Sequence, residues 1–194
     1  MHFDKCMAQV WVNEGVQFDD GGNLVKDGAY SADGTTTRFG IAWEYNQKIL
    51  KEYNIFSPRD MDKLTVGQAE LIYHEKYWLR CGASHAIDIN LAYQMYDSAV
   101  NQGVSASVKI LQRVLKYCGQ SISQDGKFGP NTRRALDNVH RIVPRDVLGG
   151  FFTVAREAEY YETLFHRCRK TPDEQEALFD RFEKSWMRRM KVVL

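Results

Sequence analysis

A chain of 194 residues is long enough for one substantial domain or two small ones, and its 44% of hydrophobic residues can fill a core. The 26 basic and 25 acidic residues leave a net charge of +1, which excludes a strong global electrostatic grip on nucleic acid. No uninterrupted apolar run approaches the ~18 residues of a membrane span, and the opening MHFDKCMAQV mixes acid and base in an amphipathic pattern unlike a signal peptide. The expectation is a soluble chain without membrane insertion, made in the cytoplasm.

The first helix is predicted over about residues 2–14, with its end at Gly15. Phe3, Met7 and Val10 share one face, and Glu14 falls on the same face one turn later. A carboxylic acid partly withdrawn from water keeps its proton to higher pH, which is the property of a general acid. The stretch VQFDDGGNLVKDGAYSADGTTT then breaks the helical period. Glycines and aspartates punctuate it, short segments such as Asn23 to Lys26 fit hairpin strands, and about 22 such residues in a compact domain mark a functional loop.

Helical spacing resumes at Gly40 with Ile41, Tyr45 and Ile49. Ser57 before Pro58 reads as a cap, and Thr65 with Gln68 as a capping box ahead of Ala69, Ile72 and Tyr73. Asn90 is expected to cap a helix ending at Gly103, and Ser105 to cap the next, with Val108, Leu111, Leu115 and Cys118 inward. After the link SISQDGKFGPNT, Pro130 opens a short helix on Ala135, Leu136 and Val139. A longer one is predicted over about residues 145–169, with Phe151, Ala155, Ala158, Tyr161 and Phe165 inward. Thr171 to Glu174 caps a last helix carrying Leu178, Phe182 and Trp186. The fold class expected is all-α with a small β-hairpin insertion after the first helix.

The cysteines Cys6, Cys81, Cys118 and Cys168 are widely spaced without a CxxC, so four free thiols are expected. Cys81 with His85, and His166 with Cys168, lack the further partners that a metal site needs, and no metal or cofactor is expected. The basic excess near the C-terminus, Arg181, Lys184, Arg188, Arg189 and Lys191, complements a helix dipole and would also favour an anionic wall.

Taken in order, the glutamate at a helix end (EGVQF), the Asp/Gly-rich loop, ADGTTTRFGI, LTVGQAELIYHEKYW, MYDSAVNQGVSASVKILQRVLKYCG and DGKFGPNTRRAL resemble the phage-type muramidases of glycoside hydrolase family 108. Some of its members carry the label of secretion activator proteins. The resemblance covers most of the chain and implies a lysozyme-like fold. It also implies a catalytic region over residues 1–100 and a peptidoglycan-binding region over 101–194. Val16 stands where the family has the second glycine of EGG. The loop is about nine residues longer than the family spacing. Counting back from Gly40-Ile41 puts Thr37 on the family threonine and Ala32 on the expected aspartate. Asp33 sits one place later, and Asp27 is the alternative.

The resemblance implies hydrolysis of the β-1,4 bond between N-acetylmuramic acid and N-acetylglucosamine. Glu14 would protonate the leaving oxygen, and Asp33 would stabilise the oxocarbenium-like transition state or activate water. Thr37 would orient that water or the carboxylate. Inversion, general in phage-type lysozymes, would set the carboxyls about 6.5–9.5 Å apart. Tyr77, Trp78, Tyr93 and Tyr96 are candidates to pack on a pyranose face, with core packing as the alternative, and Asn101 is a candidate cleft residue. The protein would act on the wall or periplasm as a monomer, with a holin or a secretion apparatus giving access. A lytic transglycosylase and a non-catalytic wall-binding accessory protein are the competing readings.

Overall fold

The structure is a computed structural model, and it describes residues 2–20, 24–26, 36–167, 180 and 187–192. The fold is all-α and lysozyme-like with a small hairpin insertion after the first helix. By compactness the chain divides into two units, Phe3–Lys76 and Tyr77–Leu194. The functional division expected near residue 100 is a separate matter from compactness.

In the first unit, α1 (His2–Glu14) buries Cys6, Met7, Val10 and Trp11. The stripe read from the sequence is therefore present and is widened by Cys6 and Trp11. The helix ends in a Schellman arrangement. Gly15 takes φ 76°, its N–H bonds Val12 O at 3.2 Å, and the Val16 N–H bonds Trp11 O at 2.9 Å. Only Gly15 needs the left-handed region, and Val16, 2% exposed, supplies the apolar residue that follows such a cap. Two short antiparallel pairs come next, β1 (Gln17–Phe18) with β2 (Leu24–Lys26) and β3 (Thr37–Arg38) with β4 (Ile41–Ala42).

α2 spans Trp43–Glu52. The helical face expected from Ile41, Tyr45 and Ile49 is corrected here. Ile41 pairs in β4, and Tyr45 is 80% exposed, while Leu50 is the buried residue of α2. The cause is the turn at Phe39-Gly40, which closes a hairpin before the helix can start. Pro58–Lys63 forms a 3-10 turn. Ser57 takes the N-cap position as expected but makes no side-chain cap bond; its hydroxyl donates to Asp60 at 2.7 Å, and Asp60 also accepts from the Phe56 N–H and from Lys63. α3 (Val66–Tyr73) opens with the expected capping box, Thr65 Oγ1 accepting from the Gln68 N–H at 3.3 Å and Gln68 Oε1 accepting from the Thr65 N–H at 2.9 Å. A π-type turn, His74–Trp78, follows it.

The second unit is built on α5 (Ile89–Gln102), α6 (Val104–Tyr117), α7 (Pro130–Ile142) and α8 (Arg145–Arg167), after a single turn α4 (Leu79–Cys81). Asp88, rather than Asn90, caps α5, accepting from the Leu91 N–H at 2.9 Å. α6 starts from Gly103, so Ser105 lies inside it. The inward face of α8 is also corrected. Phe151 and Tyr161 are 47% and 49% exposed, and Leu148, Phe152, Arg156 and Tyr160 are buried in their place. A hydrophobicity pattern puts Arg156 on the solvent side. Here it is fully buried because its guanidinium meets Asp97 at 2.6 Å, Gln94 at 2.9 Å and Tyr160 Oη at 2.9 Å. Arg189 reaches the other Asp97 oxygen at 3.2 Å. The side chains of Phe165, Leu178, Phe182 and Trp186, and the cap at Thr171, lie outside the described residues.

Cys81 Sγ donates to Trp78 O, and the His85 ring stacks on Phe128 at 5.3 Å, so Cys81 and His85 serve different partners. Cys6, Cys81 and Cys118 are free thiols, and burial pushes Cys6 up to about 12; Cys168 lies outside the described residues. Burial also holds His85 and His140 below the ordinary imidazole range, with Arg133 adding to the effect on His85 and Asp137 opposing it on both. A histidine lowered in the folded state is protonated first in the unfolded chain. Its contribution is therefore intact above about pH 6.5 and declines as pH falls through the lower folded-state values. The urea midpoint is expected to be lower at pH 5.5 than at pH 7.5, and His140→Gln to shrink that difference. An identical pH dependence in wild type and variant would refute the assignment to His140.

Candidate active site

The first unit places Glu14 at the end of α1, half-buried, where the Schellman turn fixes its backbone. Its carboxyl lies against Gly40. A Cβ built on Gly40 would stand 3.5 Å from Glu14 Oε2, 3.8 Å from Glu14 Cγ and 2.6 Å from Tyr73 Oη. Residue 40 thus has to be glycine on two counts, since its φ is 72° and its side-chain space is already taken.

Phe39 is the more unusual member of this turn. It takes φ 52°, a region disfavoured for a bulky L-residue. With Gly40 it makes a two-residue turn of the kind that matches hairpin twist, between Arg38 and Ile41. Three contacts hold it there. Its ring is 1% exposed and packs 6.0 Å from Trp11, its carbonyl accepts from Tyr73 Oη at 3.1 Å, and the Arg38 guanidinium lies 5.1 Å over the ring. Trp11 also meets Tyr73 edge-on at 5.2 Å. Strained backbone of this kind persists only where its surroundings over-determine it. Trp11, Arg38 and Tyr73 are that surrounding, and they hold the turn against the Glu14 carboxyl.

Thr37 lies in β3 of the same hairpin, half-buried and paired with Ala42. The hairpin brings together the turn that touches Glu14 and the strand that carries Thr37. Its open end is tied by Glu44, whose Oε1 accepts from the Thr36 N–H at 3.2 Å, and by the Trp43 N–H bonded to Thr36 O at 2.9 Å. Asp33 and Asp27 lie outside the described residues. Phe39, Gly40, Glu44 and Tyr73 escaped the sequence reading as parts of the site. The two-residue spacing between Thr37-Arg38 and Ile41-Ala42 was the available signal for the turn.

The remaining candidates belong to the second unit. Trp78 is 5% exposed and Tyr96 fully buried, with ring centroids 5.4 Å apart and edge to face; Tyr93 is fully buried too. These rings pack in the interior and offer no open face to a sugar. Tyr77 is half-buried. Asn101 Oδ1 accepts from Tyr160 Oη at 3.3 Å, which joins it to the Arg156 and Asp97 network. No group of three metal-ligating side chains occurs among the described residues.

Gly40→Ala is expected to cost about 1–2 kcal/mol from the left-handed backbone alone. The Tyr73 hydroxyl adds a clash, so the penalty should be smaller in a Tyr73→Phe background. A double-mutant cycle of urea unfolding measures this, and strict additivity would show that the two residues do not meet.

The chain is thus a helical, lysozyme-like protein with a glutamate set between its first helix and a strained hairpin. The comparisons agree. Residues 11–103 match the family model of Glycosyl hydrolase 108, and residues 106–191 match that of a Predicted Peptidoglycan domain. The two matches support a lysozyme-like protein of glycoside hydrolase type that acts on peptidoglycan. The solved structure of SagA from Brucella abortus is similar in fold, with a TM-score of 0.58 and 23% identity over 97% of this chain and 88% of that one. No curated protein matches the chain in sequence. No helix among the described residues is long and apolar enough to cross a membrane.

Proposed function

We propose that the protein is an N-acetylmuramidase, cleaving the β-1,4 bond between N-acetylmuramic acid and N-acetylglucosamine, with Glu14 as general acid. The observation that carries this reading is the Glu14 carboxyl, half-buried and held against Gly40 by a strained, over-determined turn. A general acid must sit within hydrogen-bond reach of the leaving oxygen, and a fixed backbone on both sides is what keeps it there. Thr37, on the same hairpin, would position water or the second carboxylate. The catalytic work falls to residues 1–100 and wall retention to residues 101–194. Holin- or secretion-dependent access, a prophage or secretion role, and a monomeric state belong to the same proposal.

Mass spectrometry of muropeptides from digested walls tests it. Reducing N-acetylmuramic acid ends are expected, and dominant anhydro ends would move the protein to the lytic transglycosylases.

The second carboxylate is assigned to Asp33, the loop aspartate closest in sequence to Thr37. Asp33→Asn should then lower kcat by ~10²-fold or more, with Asp19→Asn and Asp20→Asn near normal and Asp27→Asn in between. Retained activity in Asp33→Asn with loss in Asp27→Asn would transfer the role to Asp27.

A further inference from the structure

We propose that a polar cavity of about 510 Å³ in the second unit, lined by the 120–138 segment, binds the peptide stem of peptidoglycan through its carboxylates. This rests on the reading that the protein acts on peptidoglycan, and it assigns the cavity to one chemical part of that polymer.

The cavity is a built site rather than a loose loop. Three of its lining residues, Asp125, Lys127 and Thr132, are tied together by Gln112, a side chain only 1% exposed. Gln112 Nε2 lies 2.8 Å from Asp125 Oδ1, 3.0 Å from Thr132 Oγ1 and 3.2 Å from Lys127 O, and Gln112 Oε1 accepts from the Gly126 N–H at 2.9 Å. Thr132 Oγ1 donates to Lys127 O at 3.2 Å. Gly126 takes φ 73°, and a Cβ there would stand 2.3 Å from Ser105 Oγ, so the Asp125-Gly126 turn is pressed onto α6. One buried amide thus fixes a loop that otherwise has no regular structure. Within DGKFGPNT the amide joins Asp125, Gly126, Lys127 and Thr132.

The lining decides what the cavity takes. Lys127, Arg134, Asn131, Asn138, Gln120 and Ser121 supply cations, amides and a hydroxyl. Asp125 is the single carboxylate, and its Oδ1 is already committed to Gln112 and to the Lys127 N–H. Two cations against one engaged carboxylate favour an anionic ligand. The apolar lining is Ile122, Pro130 and Ala135, with no aromatic ring among the lining residues. A pyranose binds best against a flat ring, so the glycan strand is the poorer match. A short peptide with several amide groups and free carboxylates matches the amide pair Asn138–Gln120, 3.3 Å apart at the rim, and the flanking Lys127 and Arg134. The volume falls within the usual ~300–1,000 Å³ of small-ligand sites.

The test is isothermal titration of the full chain with three probes. These are the free stem tetrapeptide, the same peptide with its carboxylates amidated, and the peptide-free disaccharide. The free tetrapeptide is expected to bind, amidation to weaken it tenfold or more, and Lys127→Glu with Arg134→Glu to do the same with an unchanged helical circular dichroism spectrum. Equal binding of the amidated peptide needs no variant and would overturn the assignment, as would unaltered binding by a folded charge-reversed protein or no peptide binding at all. Release of reducing ends from intact walls is measured on the same preparation. Release without peptide binding overturns the cavity's role and leaves the hydrolase reading standing. Peptide binding without release does the reverse.

Discussion

Glu14→Gln is expected to lower wall hydrolysis by ~10²–10⁴-fold, the range that general acid catalysis contributes, while the thermal midpoint moves little. The amide keeps the size of the side chain and its contact with Gly40, where the nearest Glu14 atoms lie 3.5 and 3.8 Å from a built Cβ. It cannot give a proton to the leaving oxygen. Glu14 ends α1 rather than filling its core, so the buried residues of that helix, Cys6, Met7, Val10 and Trp11, are untouched. Turbidity clearing and reducing-end release should fall together, with KM nearly constant, because the lost interaction belongs to the transition state. Clearing at near wild-type rate by a folded variant would remove Glu14 from the mechanism. Gly40→Ala is the informative partner. It should lower activity by displacing the carboxyl and also lower stability, which separates a lost proton donor from a lost position.

The Glu14 stripe was legible because a period of about 3.6 residues is a local property, written in Phe3, Met7 and Val10. The capping box at Thr65 and Gln68 was legible for the same reason, since both partners lie within one turn. What could not be read were placements decided by distant partners. Arg156 is buried because Asp97, 59 residues away in sequence, meets it, and this rotates the inward face of α8 by one residue. Phe39 adopts a left-handed backbone because Trp11 and Tyr73 hold it there. Asp88 displaced Asn90 as the cap of α5 by only two positions, which is the scale on which capping side chains compete. Trp78 and Tyr96 had the residue types of a sugar platform, yet burial, a tertiary property, puts them in the interior. The candidate site was therefore half legible. The helix-end position of Glu14 and the threonine ahead of the turn could be read from the chain. The strained turn at Phe39-Gly40 that lies against Glu14 could not.

Asp97→Ala is expected to be the most destabilising single change in the second unit, by about 3–5 kcal/mol. Asp97 is fully buried and faces Arg156 at 2.6 Å and Arg189 at 3.2 Å, and the Arg156 side chain is fully buried as well. Removing the carboxylate leaves a buried guanidinium with only Gln94 and Tyr160 as neutral partners. The loss is chiefly the desolvation of an uncompensated charge, and the ion pair itself contributes little net stability. That distinction has its own test. Replacing both members, as Asp97→Leu with Arg156→Met, removes the buried charge along with its partner. The double variant should therefore be more stable than Asp97→Ala, even though Arg189 still loses one contact. Urea denaturation followed by circular dichroism gives both values. A double variant no more stable than the single one would mean that the network stabilises by direct attraction. An Asp97→Ala cost below about 1 kcal/mol, the range of exposed ion pairs, would mean that water reaches the pair.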